Sequence, residues 1–295
     1  MTTTRSASQL ALKNILFLTD FSEPSERALP FAVAIARNYG ATVHALHILT
    51  PVIPPSCSSA VKADDDLAEM EMQKIESELT GVDHGASILQ GMEIWPAIGQ
   101  AIAKEDIDLI VLGTHGRTGA QKLVMGSVAE EIFRRSAVPV LTIGPDVRTS
   151  THSPKFHRIL FATNFAPHSI FAASYASSLA YENQARLVLL HVMRKRQPAD
   201  DDNETGFEMS VAEAIHHLYE TVPNATELGL VPEIAVEFGE PAARIVEAAR
   251  DRSADLIVLG VRDAARHLGA ATHLDGGIAH KLAARASCPV LTVRG

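Results

Sequence analysis

The sequence predicts an α/β fold made twice over: two tandem units, each a five-stranded parallel sheet sandwiched between helices. Two observations carry that expectation. Residues 15–49, ILFLTDFSEPSERALPFAVAIARNYGATVHALHIL, align without a gap with residues 159–193, ILFATNFAPHSIFAASYASSLAYENQARLVLLHVM, at an offset of 144. Self-similarity at such a distance marks a duplicated unit. DLIVLG at 108–113 returns at 255–260 and PVLT at 139–142 returns at 289–292, offsets of 147 and 150, so the second copy gains three residues between these strands. Within each copy, continuous apolar runs alternate with helical patterns, as in a parallel sheet covered on both faces.

Residues 15–19 form the first short apolar run, ending at Asp20. Ser22 and Ser25 are N-cap candidates for a helix carrying Ala28, Phe31, Ala32, Ile35 and Ala36 on one face, and Gly40 ends it. Residues 42–49 read as a strand, and 64–79 as a helix with Leu67, Met70, Ile75 and Leu79 near helical spacing. A short strand at 87–89 precedes a helix over 96–104. The strand 108–112, the glycine-rich GTHGRTGAQKLVMGS at 113–127, a helix at 127–135 and a strand at 138–143 complete the unit. The second copy repeats the order with strands at 158–163, 186–193, 233–238, 255–259 and 290–293. PDVRTSTHSPK at 145–155 reads as a linker, which gives domains 1–148 and 149–295. The segments 51–60 and 200–204 come after the second strand of each copy and are expected as loops.

Composition narrows the function. With 295 residues, 46% hydrophobic and 21% charged, both units can build a full core. The net charge of −9 argues against a nucleic-acid partner, which requires a basic face. No apolar run approaches the roughly 20 residues of a membrane helix, and the first residues lack the apolar core of a signal peptide. A cytoplasmic protein with no membrane partner is therefore expected. Cys57 and Cys288 are too few and too far apart to propose a disulfide framework or a thiolate metal site. They read as unpaired thiols.

Glycines behind a buried strand permit close approach of a ligand, and successive N–H groups make an anion-binding concavity. Gly126 and Ser127 open the next helix, whose free N–H groups and dipole favour phosphate, while Arg117 and Lys122 add positive charge. The same residues also suit an ordinary strand-to-helix turn with Ser127 as its N-cap, and spacing alone leaves the two readings even. Neither GxxxxGK[ST] nor an early GxGxxG is present. His47 and His191, at one repeat position among apolar neighbours, read as hydrogen-bonded structural histidines. His216, His217, His267, His273 and His280 have no consistent ligand spacing. Asp64–Asp66 and Asp200–Asp202 are solvated charges, and no metal is assigned.

The pattern G-x2-G-x9-G-[ST], met by Gly113, Gly116, Gly126 and Ser127, together with TDFS at 19–22, LHIL at 46–49 and PVLTI at 139–143, closely resembles the universal stress protein family. The likeness covers nearly all of 12–144, and 157–294 resembles a diverged member, as in tandem members of the family. The resemblance implies a Rossmann-like strand order of 3-2-1-4-5 and ATP binding, with or without Mg²⁺, in the first copy. Gly113, Gly116, Gly126 and Ser127 would hold phosphates and ribose, with Val128 giving a backbone contact. Thr19, Asp20 and Ile48 would line the adenosine pocket, and His115 and Arg117 belong to the phosphate loop. That strand order leaves each last strand at a sheet edge. Pairing the two edges within one chain, as in a family dimer, is expected; further association into a homodimer stays open.

The second copy departs where it matters. Gly113 has its counterpart in Gly260, but Gly116 aligns with Asp263, Ser127 with Gly277 and Asp20 with Asn164. A carboxylate in the loop repels phosphate, so one nucleotide site per chain is expected, with the second unit serving assembly or another ligand. Two other classes stay open: a slow ATPase or ATP-dependent transferase, for which no residue is compelling as a base, and a non-enzymatic scaffold holding a metabolite or lipid-like ligand.

Overall fold

The computed structural model describes residues 10–50, 58–114, 127–147, 154–194, 209–223, 225, 227–262 and 277–295. The chain forms two compact units, one of Ala11–Pro154 and one formed mainly by Lys155–Gly295. The first runs β1 (Asn14–Leu18), α1 (Glu23–Glu26), α2 (Leu29–Tyr39), β2 (Thr42–Leu49), α3 (Ser58–Glu78), β3 (His84–Gln90), α4 (Ile94–Lys104), β4 (Leu109–Gly113), α5 (Ser127–Arg135) and β5 (Val140–Ile143). Its strands are all parallel, in the order β3-β2-β1-β4-β5.

The second unit runs β6 (Arg158–Thr163), α6 (Pro167–Glu182), β7 (Arg186–Met193), α7 (Val211–Thr221), β8 (Glu233–Phe238), α8 (Pro241–Asp251), β9 (Leu256–Val261), α9 (Ile278–Arg285) and β10 (Val290–Arg294). Its parallel order, β8-β7-β6-β9-β10, is the same 3-2-1-4-5 arrangement. Covered on both faces, the central strands carry the fully buried Ile15 and Phe17 of β1 and Ile159, Leu160 and Phe161 of β6. Unbroken apolar runs are what such strands require. No helix among the described residues is long and apolar enough to cross a membrane.

The single helix expected after β1 is two. Pro30 stands in the first turn of α2; a proline inside a continuous helix would lack its N–H and press on the carbonyl four residues back, so the chain turns at Arg27 and Ala28 and starts again. Ser174, at the same repeat position, imposes no such break, and α6 runs unbroken. Gly40 ends α2 with a left-handed φ of 64°. Its counterpart Gln184 adopts 51° without being glycine.

The exposed face of α3 also differs from expectation. Ala68, Met72, Ile75 and Leu79 are buried, whereas Leu67 and Met70 are 44% and 49% exposed. At 3.6 residues per turn, Ala68 and Met72 lie seven and three residues before Ile75 and share its face, while Leu67 and Met70, eight and five before it, do not. The helix begins earlier than expected, at Ser58, and β3 is longer, spanning His84–Gln90.

One clamp recurs in both units. Asp108 Oδ2 accepts the backbone N–H groups of Lys13 at 2.7 Å and Asn14 at 3.0 Å. Asp255 accepts those of His157 at 2.7 Å and Arg158 at 3.1 Å. Each aspartate, just before its unit's fourth strand, ties down the start of the first. Burial pushes the Asp255 carboxyl above its usual range, and the two N–H bonds pull it back only in part. Asp255→Ala strands two donors and should lower stability by about 1–2 kcal/mol. Urea unfolding monitored by circular dichroism checks this; an unchanged midpoint would mean that the clamp contributes nothing.

Candidate functional site

β1 lies between β2 and β4, where the order of strands reverses, and open parallel sheets leave a ligand crevice at the carboxyl ends of such strands. Leu18 pairs with Leu46 on one side and with Leu112 on the other. Thr19 and Asp20 therefore leave β1 beside the Ile48 end of β2 and the Gly113–Thr114 end of β4. The helix α5, running back antiparallel to β4, starts at this same end with Ser127, so its N-terminus opens toward the crevice side of the sheet.

The turn after β1 is tightly tied. The Thr19 N–H donates to the Leu46 carbonyl at 3.1 Å. Thr19 is buried, and its Oγ1 accepts the Phe21 N–H at 3.0 Å and shares a hydrogen bond with Ser25 Oγ at 3.1 Å. Asp20 Oδ1 accepts the Ser22 N–H at 3.1 Å and the Ser22 hydroxyl. Ser22 in turn caps α1. The carboxylate is thus held at the mouth by the start of the next helix.

Phe21 occupies the left-handed region with φ 59°, which is unfavourable for a bulky side chain. Its ring lies on the His47 imidazole with centroids 4.2 Å apart, and His47 Nδ1–H donates to the Thr19 carbonyl at 2.8 Å. The second unit repeats the device. Phe165 has φ 62°, stacks on His191 at 4.4 Å, and donates its N–H to Thr163 Oγ1 at 3.0 Å. His191 Nδ1–H donates to the Thr163 carbonyl at 2.9 Å. Burial, assisted by the nearby His217, lowers the His191 pKa against the raising effect of that carbonyl. Both histidines therefore brace the turn, in agreement with the structural reading of His47 and His191. Sequence reasoning missed the two phenylalanines; the signal was T-[DN]-F recurring at the offset that relates the histidines.

Gly113 has a packing reason for being glycine. A Cβ there would lie 2.4 Å from the Pro24 carbonyl oxygen and 3.0 Å from the Ser25 nitrogen, and one on Gly260 would lie 2.3 Å from the His168 carbonyl oxygen. In both units the strand end and the helix after the first strand approach too closely for any side chain. This explains why that motif glycine persists in the diverged copy.

Of the expected site residues, the structure brings Thr19, Asp20, Ile48 and Gly113 to one end of the sheet and places Val128, half-buried, in the first turn of α5. His115, Gly116, Arg117, Lys122 and Gly126 lie outside the described residues, as do Asp263, His267 and His273 of the second unit, and Ser127 is described in its backbone alone. In the second unit Asn164 takes the place of Asp20: its Oδ1 accepts the Ala166 N–H at 3.2 Å and the Ser169 hydroxyl at 3.0 Å.

Comparison with known proteins agrees with this duplicated architecture. The model of the universal stress protein family matches residues 11–144 and again 155–294. The chain is 31% identical over 141 residues to a universal stress protein of Methanocaldococcus jannaschii, covering 44% of this chain and 81% of that protein. It is 23% identical over 295 residues to one of Mycolicibacterium smegmatis, covering 95% and 96%. Among solved structures, a universal stress protein from Archaeoglobus fulgidus superposes with a TM-score of 0.67 at 22% identity, over 95% of this chain and 98% of that one. A functionally unknown protein from Pseudomonas aeruginosa does so with 0.63 at 18% identity, over 97% and 93%. Both likenesses concern the fold.

Proposed function

The chain belongs to the universal stress protein family, tandem in its domains, and we propose that its first unit binds ATP at the crevice between β1 and β4 while the second unit does not. The observation that supports this most is the convergence of Thr19, Asp20 and Ile48 with the Gly113 end of β4, which leads through the G-x2-G-x9-G-S segment into the start of α5. The donor set fits the ligand. Asp20 offers an acceptor to ribose hydroxyls, Ile48 an apolar wall to the base, and the start of α5 backbone N–H groups to phosphate oxygens. In the second unit Asn164 removes the first of these and Asp263 sets a carboxylate into the loop sequence.

Isothermal titration of the full chain with ATP, with and without Mg²⁺, tests the reading against Gly116→Asp and Gly126→Asp. The expected result is one ATP per chain, bound about a hundredfold more weakly by either variant, because a carboxylate set against phosphate costs about 3 kcal/mol. Absence of ATP affinity in the unsubstituted chain, or full affinity in both variants, ends the proposal.

A further inference from the structure

The crevice of the second unit is a cavity of about 340 Å³ at the carboxyl ends of β6, β7 and β9. That lies at the lower end of the range for small-molecule sites. Its walls are mainly apolar, with Leu190 and Val192 from β7, Ile245 from α8, Leu259 from β9 and Ile278 from α9. Five polar side chains join them, Thr163, Asn164, His168, Ser169 and Arg194. No carboxylate lines the cavity among the described residues.

The repeat shows how this chemistry arose from the same scaffold. Asn164 stands where the first unit has Asp20, so a negative charge is gone. Arg194 stands at the position of Thr50 and His168 at that of Pro24, so a guanidinium and an imidazole are added. Asn164 Oδ1 is already engaged by Ala166 and Ser169, which leaves its amide group as a donor. Burial, and then the Arg262 guanidinium, hold the His168 pKa below the usual imidazole range, which favours the uncharged ring, and Arg194 is the fixed charge among the described lining residues. Among the described residues Arg194 makes no ion pair with a carboxylate. Gly277, the N-cap of α9 beside Ile278, has no side chain to close the first turn.

We propose that this cleft binds a compact organic carboxylate, its apolar body against Leu190, Val192, Ile245, Leu259 and Ile278 and its head group on Arg194. One guanidinium suits a monoanion, because a planar carboxylate matches its fork of donors. An apolar lining of this size suits a body of metabolite dimensions. The proposal stands independently of the nucleotide reading for the first unit.

Isothermal titration of the full chain with octanoate, octanol and octylammonium, each in the absence and the presence of excess ATP, tests it. Octanoate is expected to bind at one per chain, octanol about tenfold more weakly, since a charge-assisted hydrogen bond is lost, and octylammonium not at all. Arg194→Gln should reduce octanoate to the level of octanol. Arg194 is exposed, and an unchanged melting temperature in that variant separates lost binding from lost fold. Ile245→Trp, which fills the cleft, should abolish binding of both octanoate and octanol. ATP should leave the octanoate isotherm unchanged. Equal binding of octanoate and octylammonium, an Arg194→Gln variant that binds octanoate as tightly as the unsubstituted chain, or displacement of octanoate by ATP would each overturn the proposal. Octanoate binding in a chain that shows no ATP affinity supports it while ending the nucleotide reading.

Discussion

Gly113→Ala should destabilise the first unit by about 3 kcal/mol, at the upper end of the usual cost of overpacking. The new methyl carbon would lie 2.4 Å from the Pro24 oxygen, 2.6 Å from the Pro24 carbonyl carbon and 3.0 Å from the Ser25 nitrogen. Those are backbone atoms of α1, which cannot rotate aside as a side-chain tip can. Moving α1 would also pull Ser25 from Thr19 and Ser22 from Asp20, the hydrogen bonds that hold the turn at the mouth of the crevice. Gly260→Ala should cost the second unit a similar amount, through His168 and Ser169. Calorimetry of both variants decides the matter: unchanged melting would show that α1 and α6 yield freely and that the glycine is held for its ligand alone. If the steric account is right, Gly113→Ala loses stability whether or not ATP is present, whereas Gly126→Asp weakens ATP binding.

The duplication made most of the architecture readable from sequence. Apolar runs such as ILFLT and DLIVLG leave few other outcomes than buried parallel strands, and the 144-residue offset supplied each a second witness. Where the reading failed, the cause lay in three dimensions. Leu67 and Met70 have the hydrophobicity of core residues, but the face of α3 is set by Ile75 and Leu79, and Ala68 and Met72 fall on it instead. The break between α1 and α2 was written in Pro30, whose effect was masked by the continuous pattern of Ala28, Phe31 and Ala32. At the site, the residues alone gave no link between Asp20 and Ile48; the family resemblance supplied it, and the register of β1 on β2 gives its physical reason. The positive φ of Phe21 and Phe165 has no propensity signature at all, because tertiary contacts with His47 and His191 overrule a local preference. Gly113 points to a ligand in the sequence because its neighbours along the chain are visible there, while the α1 backbone packed against it is not.

In a Cys57→Ser background, the remaining thiol, Cys288, should react with iodoacetamide at pH 8 far more slowly in the folded chain than in urea, because the thiol is buried and only the thiolate is nucleophilic. Burial, with a smaller contribution from the Asp255 charge, pushes the Cys288 pKa from 9.0 up to about 12. The side chain is 5% exposed, in the core that also contains Leu160, Ile245, Leu259 and Leu282. Reaction then requires local opening, and its rate reports the stability of the second unit rather than the chemistry of the thiol. Ile245 and Leu259 belong both to this core and to the wall of the cleft, so a ligand seated there stabilises the closed state by mass action. Saturating octanoate should slow alkylation further, and the effect should vanish in Arg194→Gln. Alkylation in the folded chain as fast as in urea would mean that the core around Cys288 opens freely. It would also remove the rigid wall on which a specific cleft depends.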